Sequence, residues 1–158
     1  VKPYFLLALL LSGCAGTFTE AETKPNRYVQ QYLQVQGSIP VVLNPQGETQ
    51  AFTAGQITEG QAVFESNCKL CHVGGNTLQN PKVSLSLLDL KQATPPRDNL
   101  NALVSFIKVP RTYDGKSTDS SCRGGDFLKP EEQAKLAAFV LRAADRAKGW
   151  GTLPQPEQ

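Results

Sequence analysis

The stretch Cys68-Lys69-Leu70-Cys71-His72 constrains this chain more than any other. A C-x-x-C-H sequence reads as the attachment site of a c-type haem. Two cysteines separated by two residues on a helical turn can each add to one vinyl group of a porphyrin, forming two thioethers. The histidine that follows is then placed to bind the iron from the proximal side. The bland readings are a zinc half-site, a redox pair and a local disulfide. Zinc would need about four ligands, and elsewhere the chain offers only Cys14 and Cys122, with no second histidine. A thioredoxin-like pair would sit in an alternating strand-helix pattern, which this sequence lacks. The expectation is one covalent haem c, anchored by Cys68 and Cys71 and ligated proximally by His72.

With 158 residues, 40% hydrophobic and 19% charged, the chain suits one soluble domain whose modest core a haem would enlarge. The net charge of +2 and the scattered Lys and Arg residues exclude nucleic acid as a partner. Asp and Glu residues are spread over helical faces and termini, where they are solvated or cap dipoles. With the one histidine committed to iron, no constellation for conventional catalysis remains, and the chain reads as a non-enzyme.

Residues 1–21 resemble an export signal, with Lys2 ahead of an apolar run from Tyr4 to Leu11 that is too short to span a bilayer. Leu11-Ser12-Gly13-Cys14 also resembles a bacterial lipoprotein box, so Cys14 is either acylated as a lipid anchor or removed with the signal. Residues 22–38 form a polar N-terminal extension, a short weakly amphipathic helix or a linker. Ile39 to Leu43 and Thr49 to Thr53 read as two strands around the turn Asn44-Pro45-Gln46-Gly47. Thr58 is then the expected N-cap of the helix that delivers the chain to Cys68. On that helix Gly60 and Phe64 lie one turn apart, a small residue beside an aromatic where a second helix can cross closely.

Past His72, Val73-Gly74-Gly75 permits a turn beneath the porphyrin, and Pro81 to Leu90 supplies leucines for its flank. Ala93-Thr94-Pro95-Pro96 is extended. Arg97 is either a partner for a haem propionate or a solvated surface arginine. Asp98 is the expected cap of a helix with Leu100, Leu103, Val104 and Ile107 on one face and Pro110 marking its end. Lys116 to Asp126 is a polar loop containing Cys122. Pro130 at the first helical position opens the last helix, with Leu136, Phe139, Val140 and Ala143 as its buried face. Residues 39–151 make up the haem domain, and 152–158 a disordered tail.

A six-coordinate haem needs a second ligand, usually methionine or histidine. The chain has no methionine and one histidine. What remains is Cys122, a lysine or tyrosine, the N-terminal amine, water, or an empty position. Cys122 is the best candidate, because it lies downstream of the central helix among Ser120, Ser121, Gly124 and Gly125, where the backbone can approach a porphyrin. Ferric iron lowers a thiol's pKa as other cations do. The alternatives for Cys122 are an unligated thiol and a disulfide with Cys14. An anionic sulfur favours ferric iron, so the reduction potential should lie below that of a His/Met cytochrome.

From about Ile39 to Gly151 the chain resembles cytochrome c-550, the low-potential extrinsic cytochrome of photosystem II. The matching pieces are Cys71-His72-Val73-Gly74-Gly75, Ala93-Thr94-Pro95-Pro96-Arg97-Asp98-Asn99-Leu100, Thr112-Tyr113-Asp114-Gly115 and Gly149-Trp150-Gly151. The resemblance implies a mostly α, class I cytochrome c fold with a small N-terminal β-hairpin, a low potential, and a place in the thylakoid lumen. In that family a histidine a few residues after the Tyr-Asp-Gly turn is the distal ligand, and here that neighbourhood holds Cys122. The segment before Ile39 is longer than usual, and Leu153-Pro154-Gln155-Pro156 replaces the family's aromatic ending. The chain therefore looks like the divergent cytochrome c-550-like branch.

Three functions follow as expectations. One is a single-haem, low-potential electron carrier of the lumen with an unidentified redox partner and peripheral or no membrane contact. The second is a structural or stabilising subunit of photosystem II. The third is a haem sensor in which Cys122 leaves the iron on reduction and a small gas takes its place.

Overall fold

A computed structural model describes residues 23–78 and 83–152. The expected export signal, Cys14, and the tail from residue 153 onward lie outside the described residues.

Strands β1 (Ser38–Val42) and β2 (Thr49–Thr53) pair antiparallel, with Ile39 opposite Phe52 and Val41 opposite Gln50. The turn between them is fastened by Leu43 N donating to Glu48 O at 2.7 Å and Gly47 N to Asn44 O at 3.1 Å. The hairpin falls where alternation and turn residues put it. It runs straight into helix α1 (Ala54–Asn67). Thr53 caps that helix in place of Thr58. The Thr53 hydroxyl accepts from Gln56 N at 3.2 Å while Gln56 Oε1 accepts from Thr53 N at 2.9 Å. This reciprocal box satisfies two helix-end groups at once, and it starts the helix five residues earlier than expected. Thr58 instead sits inside the helix, donating to Ala54 O at 2.9 Å and accepting from Asn26 N at 3.2 Å.

A short helix α2 (Leu87–Gln92), not foreseen from the sequence, is capped by the Ser86 side chain. Helix α3 (Leu100–Lys108) is capped by Asn99, whose side chain accepts from Ala102 N at 3.1 Å, and not by Asp98 one residue earlier. Asparagine and aspartate cap about equally well. Helix α4 (Pro130–Arg146) begins at the expected proline, and Leu136, Phe139, Val140 and Ala143 are all buried.

Helices α1 and α4 cross at the centre of the molecule, α3 packs on α4, and the hairpin covers one edge. Gly60 makes the crossing close: a Cβ there would stand 2.0 Å from Lys135 O and 3.0 Å from Phe139 Cβ. Phe64, Phe139 and Trp150 form an aromatic cluster, with ring centroids 5.4 to 5.9 Å apart. Such tilted and edge-on pairs add about 0.5–1.5 kcal/mol each beyond the area they bury.

The segment ahead of the hairpin belongs to this core. A π-helical turn at Tyr28–Tyr32 buries Val29, and Val29, Leu33 and Val35 are fully buried. Arg142 on α4 donates to Leu33 O at 2.8 Å and Gln34 O at 3.1 Å. Glutamines surround these three apolar residues in sequence, which hides the pattern from any periodicity reading.

Candidate functional site

Past α1, the C-x-x-C-H segment continues as a tight helical turn. Cys71 N donates to Cys68 O at 3.1 Å and His72 N to Cys68 O at 2.9 Å. This winding presents Cys68, Cys71 and His72 to one cavity of about 430 Å³. Phe64, Leu90, Leu103, Leu136 and Val140 supply apolar walls from four helices, and Val83 and Leu85 close the flank. The Gly74-Gly75 turn, with φ of +57° and +81°, lets the chain double back. There the indole of Trp150 lies so close to Gly75 that a Cβ would approach it to 2.6 Å. Gly151 N donates to Gly74 O at 2.8 Å, which joins the C-terminal Gly-Trp-Gly to the turn after the histidine.

The opposite wall comes from the loop after α3. Its Tyr113-Asp114-Gly115 turn packs on the Thr94 backbone: Thr94 N donates to Tyr113 O at 2.9 Å, and Tyr113 Oη donates to Asp89 O at 2.9 Å. The Thr94–Pro95 peptide bond is cis. Arg97 is a partly buried side chain held by the fold and not a freely solvated surface arginine. It lies over the Phe106 ring at 4.1 Å and donates through Nη2 to Arg111 O at 3.0 Å and Thr112 O at 2.7 Å, while still lining the cavity.

Cys122 lines the same cavity as Cys68, Cys71 and His72. Its segment is held at both ends: Asp119 N donates to Pro110 O at 3.0 Å and Gly125 N to Ile107 O at 2.6 Å. Gln133, buried on α4, donates to Gly125 O at 2.8 Å and Leu128 O at 3.1 Å. Arg123 stacks over Phe127 at 4.3 Å. None of Cys68, Cys71 and Cys122 is in a disulfide.

Burial governs the electrostatics of the cavity and disfavours charge on its thiols and its imidazole alike. Burial, reinforced by the neighbouring Cys122 and Cys71, pushes the Cys68 thiol up to about 11. Burial and the Asp119 carboxylate likewise raise the Cys122 thiol, against the pull of Arg97. Burial lowers His72 despite Asp119, keeping the imidazole neutral and able to ligate. Sequence reasoning missed Thr77, whose hydroxyl lies 3.1 Å from His72 Nδ1. It also missed Asp119 and Gln133. Asp119 and Gln133 meet the site through the folded chain, whereas Thr77 reaches it through the local turn after His72.

The cytochrome c-550 domain profile matches residues 32–155. The chain belongs to the cytochrome c-550 family. This cytochrome is 49% identical over 155 residues to the cytochrome c-550-like protein of Thermosynechococcus vestitus, covering 96% of this chain and 89% of that one. It is 45% identical over 149 residues to photosystem II extrinsic protein V of Gloeobacter violaceus, covering 93% and 81% of the two chains. Its structure is similar to that of the PsbV2 cytochrome of Thermosynechococcus elongatus, with a TM-score of 0.79 and 52% identity over 82% of this chain and all of the other. The mostly α, class I fold with its small hairpin is thus shown, and haem c is the cofactor. The residues fit that group: paired thiols outside any disulfide, a neutral imidazole and apolar walls face a single cavity.

Proposed function

We propose that this cytochrome is a single-haem, low-potential electron carrier of the thylakoid lumen. Cys68 and Cys71 carry the two thioethers, His72 is the proximal ligand and Cys122 the distal one. The observation that carries the reading is the convergence of Cys122 with the C-x-x-C-H turn on one cavity. Haem c, when bound, supplies a one-electron couple between ferric and ferrous iron.

The chain's own residues would set that couple. The anchors at Asp119 and Gly125 hold the Cys122 segment against the cavity. A thiolate there offsets the ferric charge and lowers the potential relative to a methionine ligand. In the absence of metal, burial raises the Cys122 thiol, so a cation must provide the stabilisation of its anion. Among the described residues no helix is long and apolar enough to cross a membrane. The lumenal location rests on the family resemblance and on the relative named as a photosystem II extrinsic protein.

The test is low-temperature electron paramagnetic resonance of the ferric protein beside Cys122→Ser, with the reduction potential of each. The variant should show changed g-values and a raised potential. Identical spectra would remove Cys122 from the iron, and a wild-type potential as high as that of His/Met cytochromes would end the low-potential reading.

The 45% identical relative named photosystem II extrinsic protein V favours a second reading, a stabilising subunit of photosystem II. Co-purification with the complex supports it. Recovery of the protein only in the free lumenal fraction argues for the carrier.

A further inference from the structure

We infer that Thr77 is the positioning residue of the proximal histidine, and that its hydroxyl tunes the iron through His72. This rests on the proposal that His72 ligates the haem. Thr77 Oγ1 lies 3.1 Å from His72 Nδ1, and both residues face the same cavity. A histidine bound to metal through Nε2 carries its proton on Nδ1, and that N–H needs an acceptor to fix the ring's rotation and raise its basicity. A threonine hydroxyl has two acceptor lone pairs.

The contact is built into the backbone. Two glycines with positive φ, Gly74 and Gly75, reverse the chain directly after His72. Asn76 N then donates to Val73 O at 3.0 Å and Leu78 N to Cys71 O at 2.9 Å, holding residue 77 from both sides. The buried Asn76 side chain adds a bond to Thr152 O at 3.2 Å, so the C-terminal segment also secures this turn. Threonine's branched Cβ restricts χ1, which favours a hydroxyl that stays on the imidazole over one that swings away.

The consequence is chemical. A hydroxyl accepting from Nδ1–H makes the imidazole a stronger donor to iron and favours the ferric state. Thr77→Val keeps the shape and removes the acceptor. Thr77→Ser keeps the acceptor and removes a methyl group. A purely structural role for Thr77 would be served about as well by valine.

The test uses the haem-loaded protein with 15N-histidine. His72 is the one histidine of the chain, so the label reports that ring alone. Electron-nuclear double resonance of the ferric form shows whether labelled nitrogen binds the iron. Nuclear magnetic resonance of the ferrous form follows solvent exchange of Nδ1–H, and a spectroelectrochemical titration reads the potential. Thr77→Val should raise the potential and speed Nδ1–H exchange about tenfold, the scale of one lost hydrogen bond, while Thr77→Ser stays near wild type. Absence of a bound-nitrogen signal in the wild type would overturn His72 ligation and this inference with it. A clear bound-nitrogen signal with wild-type potential and exchange in Thr77→Val would overturn the role of Thr77 alone. So would a serine variant that behaves like valine.

Discussion

Gly60→Ala should destabilise this cytochrome although alanine is the better helix former. The added Cβ would stand 2.0 Å from Lys135 O, 2.6 Å from the Lys135 carbonyl carbon and 3.0 Å from Phe139 Cβ. The obstacle is the backbone of α4, which no rotamer change can move. Relief requires the two helices to part by roughly 1 Å, and a gap of that size forfeits about a quarter to a half of each dispersion contact along the crossing. Overpacking of this kind costs about 3 kcal/mol or more. The gain in helix propensity is about 1 kcal/mol, leaving a net loss of about 2 kcal/mol or more. Phe64 and Phe139 meet at this crossing and both pack against Trp150, so their packing should loosen together. Guanidinium unfolding followed by far-ultraviolet circular dichroism and Trp150 fluorescence should show a lower midpoint at unchanged slope. Ala62→Gly, at an exposed position two residues along the same helix, serves as the control and should lose about 1 kcal/mol from propensity alone. A Gly60→Ala midpoint at or above wild type would show that the helices are not in close contact at this point.

A second prediction concerns acid stability. Burial raises the Glu59 carboxyl, but hydrogen bonds from Lys135 and Thr23 outweigh it and hold the group below its ordinary range. A depressed carboxylate stabilises the fold above its unfolded pKa of about 4.3, and that contribution is lost as pH falls through the folded value. Glu59→Gln should therefore flatten the acid limb of the stability curve, with a loss of about 1 kcal/mol at neutral pH; an unchanged pH profile would show that the bridge between α1 and α4 contributes nothing. A third concerns the Cys122 segment. Gln133→Leu removes the side-chain donor to Leu128 O and to Gly125 O, the latter keeping its bond from Leu128 N at 3.0 Å, and should cost about 1–3 kcal/mol. Hydrogen exchange should rise in residues 119–128 and stay unchanged in α1, and protection retained in that loop would refute the anchoring role of Gln133.

Short-range chemistry was readable along the chain, and long-range placement was not. The hairpin, the proline start of α4 and the apolar faces of α3 and α4 follow from alternation, helical period and turn residues, all of which act between near neighbours. Element starts were ambiguous where two capping residues stood close together. Thr53 prevailed over Thr58 because Gln56 completes the box, and Asn99 caps α3 through the bond it accepts from Ala102 N. Val29, Leu33 and Val35 lacked any visible pattern, since their burial comes from docking against α1 and α4 and not from a face of their own.

The amino-acid sequence alone determined the chemistry on offer: two thiols and one imidazole at a spacing that suits haem c, and a chain with no methionine to complete the iron. Elimination could single out Cys122 because residue types are countable without coordinates. Only the tertiary structure decided that Cys122 shares a cavity with Cys68, Cys71 and His72, and that Arg97 binds loop carbonyls. The physical reason is that these meetings depend on how closely α1 and α4 can cross at Gly60 and on where two loops are fastened. Both depend on packing between residues far apart in the chain, which no local spacing encodes.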